Sequence, residues 1–315
     1  MNTKIEILKQ ELTKAVIGQE NMIEGLLIGL LCDGHILVEG APGLAKTTTI
    51  NALSKAIGLD AKRIQFTPDL LPSDIIGAQI YNPKEHSFSI KKGPLFTHLL
   101  LADEINRAPA KVQSALLEVM QERQVTIGDE TFTLAHPFLV MATQNPIEQE
   151  GVYALPEAQL DRFMMKIVVK HNSEEEELEI MRKAAHKAFK EIETVLTIDD
   201  LHALQKELEE IHIDKELERY IVQLITATRE PVRFGLESIA QSIMFGASPR
   251  ASIDLYKASR AQAFLKGKTF VSPSDIAHVI HKVLRHRVVL SYEARAKGVT
   301  TDEIISTIVE TLLVP

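Results

Sequence analysis

The sequence contains no tryptophan, few other aromatic residues and a single cysteine, Cys32. Because proteins that bind single-stranded nucleic acids stack the bases on aromatic side chains, this scarcity argues against that class. One cysteine cannot form an internal disulfide bond, and Cys32 lies in an apolar run, which is typical of an unreactive core residue. Both features fit a reducing compartment, so we expect a cytoplasmic protein.

Long hydrophobic runs and an excess of basic residues are also missing. No stretch reaches the roughly 18 uncharged apolar residues of a membrane span, so we expect no span. Acidic residues number 43 against 35 basic ones, and the formal net charge is −8. Since neutralising nucleic-acid phosphates requires a basic face, we expect no nucleic-acid partner, although a local basic groove is compatible with this charge.

What the sequence does contain is an alternation of short apolar runs and helical patterns over its first half. Near-continuous apolar runs of this length are typical of strands buried on both faces of a parallel sheet. Between two of them, Val112, Leu116 and Val119 follow the spacing of an amphipathic helix. We therefore predict an α/β domain of residues 1–172, with a five-stranded parallel sheet sandwiched by helices. The predicted strands lie at 35–39, 63–67, 99–102, 138–142 and 164–169.

Two segments that interrupt this alternation are predicted to be β-hairpins. In residues 75–93, apolar residues flank a polar tip, and in residues 124–134 they flank the two-residue turn signal Gly128-Asp129. The pattern alone leaves open whether the hairpins are surface ribbons or functional inserts.

Strand signals end after about residue 172. Ser173 is followed by glutamates at 174–177, a pattern that indicates a capped helix start with an acidic first turn; an acidic interaction patch is the alternative. Further helix-start signals occur at Thr197 and Ser272. We predict a linker helix within 173–195 and an α-helical domain over 196–315.

The most informative stretch is a glycine-rich loop between the first predicted strand and a helical segment that ends at Gly58. In this context the backbone N–H groups of the loop curl around phosphates at the positive end of the helix. Lys46 is expected to reach the β- and γ-phosphates, and Thr47 to ligate Mg²⁺. The strict pattern has glycine where this chain has Ala45, which we expect a near-helical backbone to tolerate. The predicted nucleotide-binding residues of the loop are Gly40, Ala41, Pro42, Gly43, Leu44, Ala45, Lys46, Thr47 and Thr48.

Polar residues follow two of the predicted strands. Asp103 and Glu104 come directly after the run at 99–102, and ligands bind at the carboxyl ends of parallel strands. We therefore expect Asp103 to hold Mg²⁺ and Glu104 to accept a proton from an attacking water. Asn145 follows the run at 138–142 and would bond that water or the γ-phosphate. The alternative for these residues is an ordinary turn or a solvated surface.

Two arginines lie outside this set. Arg162 precedes the last predicted strand, which places it at the amino edge of the sheet, about 20 Å from the loop. It would then act on a neighbouring subunit's phosphate as an arginine finger, unless it forms a local ion pair with Asp161 or Glu157. Arg250 lies in the first turn of a predicted helix, where the dipole disfavours a cation. We expect either a phosphate that joins Arg250 to the loop or apolar surface that its stem covers.

Together these motifs resemble the AAA+ ATPases, and within them the MoxR family, from Val16-Ile17 to Arg250. The segments 63–74, 102–108 and 155–163 carry the family likeness, and alanine before the loop lysine is usual in that family. The resemblance implies a P-loop NTPase fold, with a five-stranded parallel sheet in the order 5-1-4-3-2 and a C-terminal α-helical lid domain.

The resemblance also implies roles for single residues. The two hairpins look like the helix-2 insert and the pre-sensor-1 hairpin of the family. The matching positions are Val16 and Ile17 for the adenine pocket, Lys46, Thr47, Asp103 and Glu104 for the Walker A and B motifs, Asn145 for sensor 1, Arg162 for the arginine finger, and Arg250 for sensor 2.

The function we expect is ATP hydrolysis with Mg²⁺. By resemblance, the chain would form a hexameric homo-oligomeric ring and remodel, mature or metal-load a client protein, with a von Willebrand factor A-type partner. A magnesium-chelatase-like motor, a nucleic-acid motor of the same clade and a nucleotide-gated scaffold with little turnover are the alternatives. The net charge and the acidic tip at 128–130 disfavour the nucleic-acid motor.

Overall fold

The computed structural model describes residues 3–145, 153–186 and 188–315, and shows a layered α/β half followed by a mostly helical half. The strands are β1 (Ile36–Glu39), β2 (Ala61–Gln65), β3 (Gly77–Asn82), β4 (Ser87–Lys92), β5 (Leu99–Asp103), β6 (Gln124–Ile127), β7 (Glu130–Thr133), β8 (Leu139–Gln144), β9 (Met165–Val168), β10 (Ile243–Phe245) and β11 (Val289–Leu290). The helices are α1 (Thr3–Leu12), α2 (Glu20–Leu31), α3 (Lys46–Ile57), α4 (Pro72–Ile76), α5 (Ala110–Glu122), α6 (Glu157–Leu160), α7 (Glu174–Ala185), α8 (Ile198–Glu209), α9 (Lys215–Arg229), α10 (Glu237–Ala240), α11 (Pro249–Leu265), α12 (Pro273–Leu284), α13 (Tyr292–Ala296) and α14 (Thr301–Thr311).

The central sheet has five parallel strands in the order β2-β5-β8-β1-β9. Numbered as the predicted strands, this is the order 5-1-4-3-2, so the predicted fold class is confirmed. The register pairs Gln65 at the end of β2 with Asp103 at the end of β5, and Glu39 at the end of β1 with Gln144 of β8. The carboxyl ends of four strands thus meet at one edge.

The three central strands, β1, β5 and β8, are buried on both faces because they send alternate side chains into two apolar clusters, whereas the edge strand β2 exposes Lys62, Arg63 and Gln65. In β5, Leu99 and Leu101 belong to one cluster, and Leu100 and Ala102 belong to the other. This explains the near-continuous apolar runs in the sequence, since neither face of the strand meets solvent.

The helical half packs against α2 and β9 and shares the first of these clusters with the α/β half. Polar contacts across the junction include Arg285 to the carbonyl of Lys166 and His286 to the carbonyl of Phe163. β10 and β11 form a small antiparallel pair that the sequence did not predict, because strands of three and two residues are too short to show a periodicity. The division at residues 172 and 195 stays a prediction.

Both inserted segments form antiparallel hairpins, β3 with β4 and β6 with β7. The second hairpin turns at Gly128, whose φ of 62° lies in the left-handed region that glycine favours. Among the described residues, no helix combines the length and the apolar character that crossing a membrane demands.

Candidate active site

The loop between β1 and α3 curls sharply at two residues that precede the helix. Gly43 has a φ of 84°, and Ala45 also adopts the left-handed conformation, with a φ of 55°. The expectation of a near-helical backbone at Ala45 is therefore wrong. This residue turns the chain just before α3 begins, and the left-handed conformation is the physical reason why the strict pattern has glycine there.

Lys46, the first residue of α3, reaches back across the loop. Its Nζ donates a hydrogen bond of 2.9 Å to the carbonyl oxygen of Gly40. Partial burial lowers the pKa of Lys46, while the carboxylates of Asp103 and Glu104 oppose that shift. The ammonium is thus held at a partly desolvated position, where phosphate oxygens could replace the carbonyl as its partner.

A cavity of about 330 Å³, here called the phosphate cavity, separates the loop from the ends of β2 and β5. Its volume is in the range of ligand sites in proteins. The predicted loop residues Gly40, Ala41 and Leu44 are not part of its lining. The lining residues are Pro42, Gly43, Ala45, Lys46, Thr47, Thr48, Arg63, Gln65, Asp103 and Glu104.

Asp103, the last residue of β5, is held by one partner on each carboxylate oxygen. The hydroxyl of the buried Thr143 donates to Oδ1 at 2.6 Å, and the guanidinium of Arg63 pairs with Oδ2 at 2.7 Å. Together with Thr47, Asp103 supplies oxygen donors to one cavity, a set that fits Mg²⁺ shared with phosphate oxygens and waters. Within the described ranges, no three acidic, histidine or cysteine residues cluster as a protein-only metal site.

Glu104 points away from Asp103 because its backbone is left-handed, with a φ of 56°. Its Oε2 accepts a hydrogen bond of 2.8 Å from Gln65 and lies 3.2 Å from Nε of Arg107, while its N–H donates to the hydroxyl of Thr143. Strained backbone of this kind clusters at functional sites. To accept a proton from water, Glu104 must exchange one of these partners for that water.

Asn145 lies just beyond β8, at the same edge of the sheet. The carbonyl of the preceding Gln144 accepts a hydrogen bond from the N–H of Gly40, which ties the end of β8 to the start of the loop. Asn145 is buried, and it is not among the residues that line the phosphate cavity. The structure therefore places Asn145 at the base of the loop, and its contact with water or phosphate stays a prediction.

A second cavity of about 390 Å³, here called the base cavity, lies on the other flank of the loop. It shares Gly43, Ala45 and Thr48 with the phosphate cavity, so one ligand could extend from one cavity into the other. Ile17 lines the base cavity, but Val16, which was expected beside it, is buried in the apolar core instead. The other lining residues are Ala15, Leu44, Asn172, Ile180 and Phe189.

Arg162 and Arg250 lie together at the amino edge of the sheet, where both line a cavity of about 340 Å³. This cavity shares no lining residue with the phosphate cavity, so the expected bridge from Arg250 to the loop of its own chain is wrong. The reason is that α11 packs beside α2, and Nη1 of Arg250 reaches the carbonyl of Asp161 at 3.4 Å. Arg162 makes no ion pair with Asp161 or Glu157, because Arg287 takes the Asp161 carboxylate.

Comparisons with known proteins bear directly on this arrangement. A family model for the ATPase family associated with various cellular activities (AAA) matches residues 35–165, and an AAA lid domain model matches residues 237–308. Chaperone MoxR1 of Mycobacterium tuberculosis is 47% identical over 305 residues, which are 97% of this chain and 81% of that protein. Protein MoxR of Paracoccus denitrificans is 32% identical, over 91% of this chain and 89% of that protein.

This chain belongs to the MoxR family of AAA+ ATPases. The family resemblance stated from the sequence is thereby confirmed. A crystal structure of a Cytophaga hutchinsonii protein to which ATPase activity is ascribed superimposes on this MoxR-family chain with a TM-score of 0.94. It is 51% identical, and the match covers 99% of this chain and 95% of that one.

Sequence reasoning missed several polar residues of the MoxR-family site. Arg63 and Gln65 alternate along β2, so they share a face, and Gln65 pairs with Asp103 in the register. The sequence did contain a signal for these two residues. They occupy alternate positions of the predicted strand that lies beside the strand of Asp103. Thr143 was a second signal, since it is a buried hydroxyl that ends an apolar strand.

The base cavity contains three residues that no local pattern indicated. Asn172, Ile180 and Phe189 come from the segment after β9, and they reach the loop only because the chain turns back over it there. Asn172 donates to the carbonyl of Ile17 at 2.8 Å and accepts from Gln19 at 2.8 Å, which fixes the chain before α2 against this segment. Contacts of this kind depend on tertiary structure and leave no periodicity in the sequence.

Proposed function

We propose that this MoxR-family protein hydrolyses ATP to ADP and phosphate with Mg²⁺ and couples the reaction to the remodelling of client proteins. The observation that carries the proposal is that Lys46, Thr47, Asp103 and Glu104 line one cavity. They offer an ammonium for the β- and γ-phosphates, oxygen donors for a cation and a carboxylate for water, which are the groups that phosphoryl transfer needs. The base cavity on the other flank would take the adenine.

Each side chain has a distinct task in this proposal. Lys46 exchanges its bond to a loop carbonyl for phosphate oxygens, and Thr47 and Asp103 would hold Mg²⁺, which when bound neutralises charge on the transferred phosphate. Glu104 leaves Gln65 or Arg107 and orients a water for attack. Asn145, buried at the base of the loop, is proposed to position that water or the γ-phosphate.

Arg162 and Arg250 are proposed to act on the nucleotide of a neighbouring subunit. They lie about a strand length plus a loop, roughly 20 Å, from the phosphate cavity of their own chain. The backbone N–H of Arg162 donates to the carbonyl of Gln159, but its guanidinium forms no hydrogen bond or ion pair with another residue in the described part of the chain, so it is available for a phosphate. A closed homo-oligomer, a hexamer by family resemblance, would bring one subunit's amino edge to the next subunit's phosphate cavity.

The output is proposed from family resemblance. A relative 47% identical to this chain is named a chaperone, which supports remodelling of a client protein. Maturation or metal loading as the output, a von Willebrand factor A-type partner and a cytoplasmic location are proposed from the family resemblance alone. The formal charge of −8 supports a protein client over a nucleic acid.

The proposal is tested by replacing Glu104 with glutamine and, separately, Lys46 with alanine. Glu104→Gln should retain ATP binding and lose about 10²- to 10⁴-fold in steady-state turnover, because the acceptor of the water's proton is gone. Lys46→Ala should lose ATP binding itself. Unchanged turnover in Glu104→Gln would contradict the assignment of the base.

Action of Arg162 on a neighbour is tested by mixing two inactive variants. Arg162→Ala keeps an intact phosphate cavity, and Lys46→Ala keeps an intact arginine. Mixed assemblies should therefore regain part of the turnover, with a maximum at an intermediate ratio. The absence of recovery at every ratio, with mixed assembly verified by mass, would count against the proposal.

A further inference from the structure

The base cavity has an aromatic wall that the proposed chemistry does not use. Phe189, a residue that is 38% exposed, lines this cavity, and Ile180 of α7 lies in the same wall. Ala15 and Ile17 contribute from the segment between α1 and α2. An exposed phenyl ring that borders a mainly apolar cavity offers a flat face to a flat ligand.

The segment that carries Phe189 is fixed to the helix of the phosphate loop. The N–H of Val195 donates to the carbonyl of Ala56 at 2.8 Å, and the hydroxyl of Thr194 donates to the carbonyl of Lys55 at 2.9 Å, both at the end of α3. Slightly earlier, the N–H of Glu193 donates to Glu11 of α1 at 2.7 Å. The chain that follows Phe189 is therefore anchored beside the loop by contacts that do not involve the phenyl ring.

By contrast, α7 is thinly packed. None of its residues is buried, and Leu178 and Met181 are exposed. Ile180 thus faces the base cavity from an element with few apolar partners of its own. A ligand that filled the cavity would supply part of the packing that this element lacks.

The position of the loop between the two cavities indicates which kind of ligand would fill both. Gly43, Ala45 and Thr48 border both cavities, so a molecule with phosphates beside Lys46 would place its remaining portion next to Phe189. We propose that Phe189 stacks on the base of the bound nucleotide and is the principal affinity-determining side chain for the base. This inference rests on the proposed function, since it takes a nucleotide as the ligand.

The absence of tryptophan makes the contact directly observable. Phe189→Trp would introduce the only indole of the chain, and Phe270→Trp, at an exposed position in the helical half, is the matched control. Tryptophan emission of Phe189→Trp should change saturably on addition of ATP or ADP and stay constant with inorganic tripolyphosphate. Emission of Phe270→Trp should not respond to any of the three.

Phe189→Ala measures the strength of the contact by calorimetric titration. The dissociation constant for ATP should rise roughly 5- to 100-fold, as for other bases stacked on aromatic side chains, while that for tripolyphosphate stays the same. The dissociation constant of Phe189→Leu for ATP should lie between those of wild type and Phe189→Ala. Equal ATP affinity in Phe189→Ala and wild type, or ATP binding to Phe189→Trp without an emission change, overturns the stacking. If wild type itself fails to bind ATP calorimetrically, the proposed function fails instead.

Discussion

Replacing Arg287 with methionine tests how the helical half holds the two arginines of the amino edge. Arg287 follows α12, and its side chain is only 1% exposed. Its Nε pairs with Asp161 at 2.8 Å and its Nη2 with Asp254 of α11 at 2.5 Å. The same guanidinium donates to the carbonyls of Phe163 and Met164. One side chain therefore ties α11 and α12 to the residue that precedes Arg162.

The expected loss of stability is large, because methionine fills much of the volume but leaves two carboxylates without their cation. Breaking one partner of a buried ion pair costs about 3–5 kcal/mol. Arg285→Met is the matched control, since the Asp302 carboxylate that it pairs with is about half exposed and such pairs contribute about 1 kcal/mol or less. In thermal unfolding, the melting temperature should be highest for wild type, lower for Arg285→Met and lowest for Arg287→Met.

The loss of stability in Arg287→Met should become smaller at low pH. Burial raises the pKa of Asp254 above its usual value, and Arg287 opposes that rise. Without Arg287 the pKa of the folded state rises further, so the folded protein binds a proton more tightly than the unfolded chain does. The stability deficit of Arg287→Met should therefore shrink as the pH falls through that raised pKa, and grow as the pH rises. Equal melting temperatures for the two variants at neutral pH would refute the reasoning.

Three further predictions concern single positions. Ala45→Gly should raise the stability of the nucleotide-free protein by about 1 kcal/mol in thermal unfolding, because it removes left-handed strain from an alanine. Thr143→Val should bind ATP but lose about 10- to 100-fold in turnover, because Asp103 loses a buried donor, whereas Thr143→Ser should retain most of it. Asp275→Asn should destabilise the protein at neutral pH through the lost contacts with Lys268. Burial opposes ionisation of Asp275, but the hydrogen bonds from Lys268 and Ser272 outweigh it and lower the pKa of Asp275, so the difference should vanish in acid unfolding as the pH falls through that lowered pKa.

The strands and the central site could be predicted because their signals are local. A strand that is buried on both faces of the sheet consists of a continuous run of apolar residues. Carboxylates that directly follow such a run must lie at the carboxyl edge of the sheet. Asp103 and Lys46 were accordingly predicted to meet, and they line one cavity. The order of the strands came from the family resemblance, since no local pattern encodes which strands are neighbours.

What escaped prediction depends on how distant segments pack. One of the two expectations for Arg250 joined it to the loop through a phosphate, but the docking of α11 near α2 places it at the opposite edge. The buried position of Val16 and the reach of Phe189 into the base cavity likewise follow from tertiary contacts. The conformation of Ala45 was misjudged for another reason: the geometry of the loop overrides the preference of a single residue.

The apolar cluster that spans both halves of the chain makes them interdependent. Leu26 and Leu30 of α2 lie in the same buried cluster as Leu255 and Ile280 of the helical half. Cleaving the chain near residue 190 would expose a large apolar surface on each fragment. Neither fragment should therefore fold alone into a soluble, ordered protein. A calorimeter should accordingly record one melting event, and a truncated gene product should be cleared by proteases rather than persist as a free nucleotide-binding module.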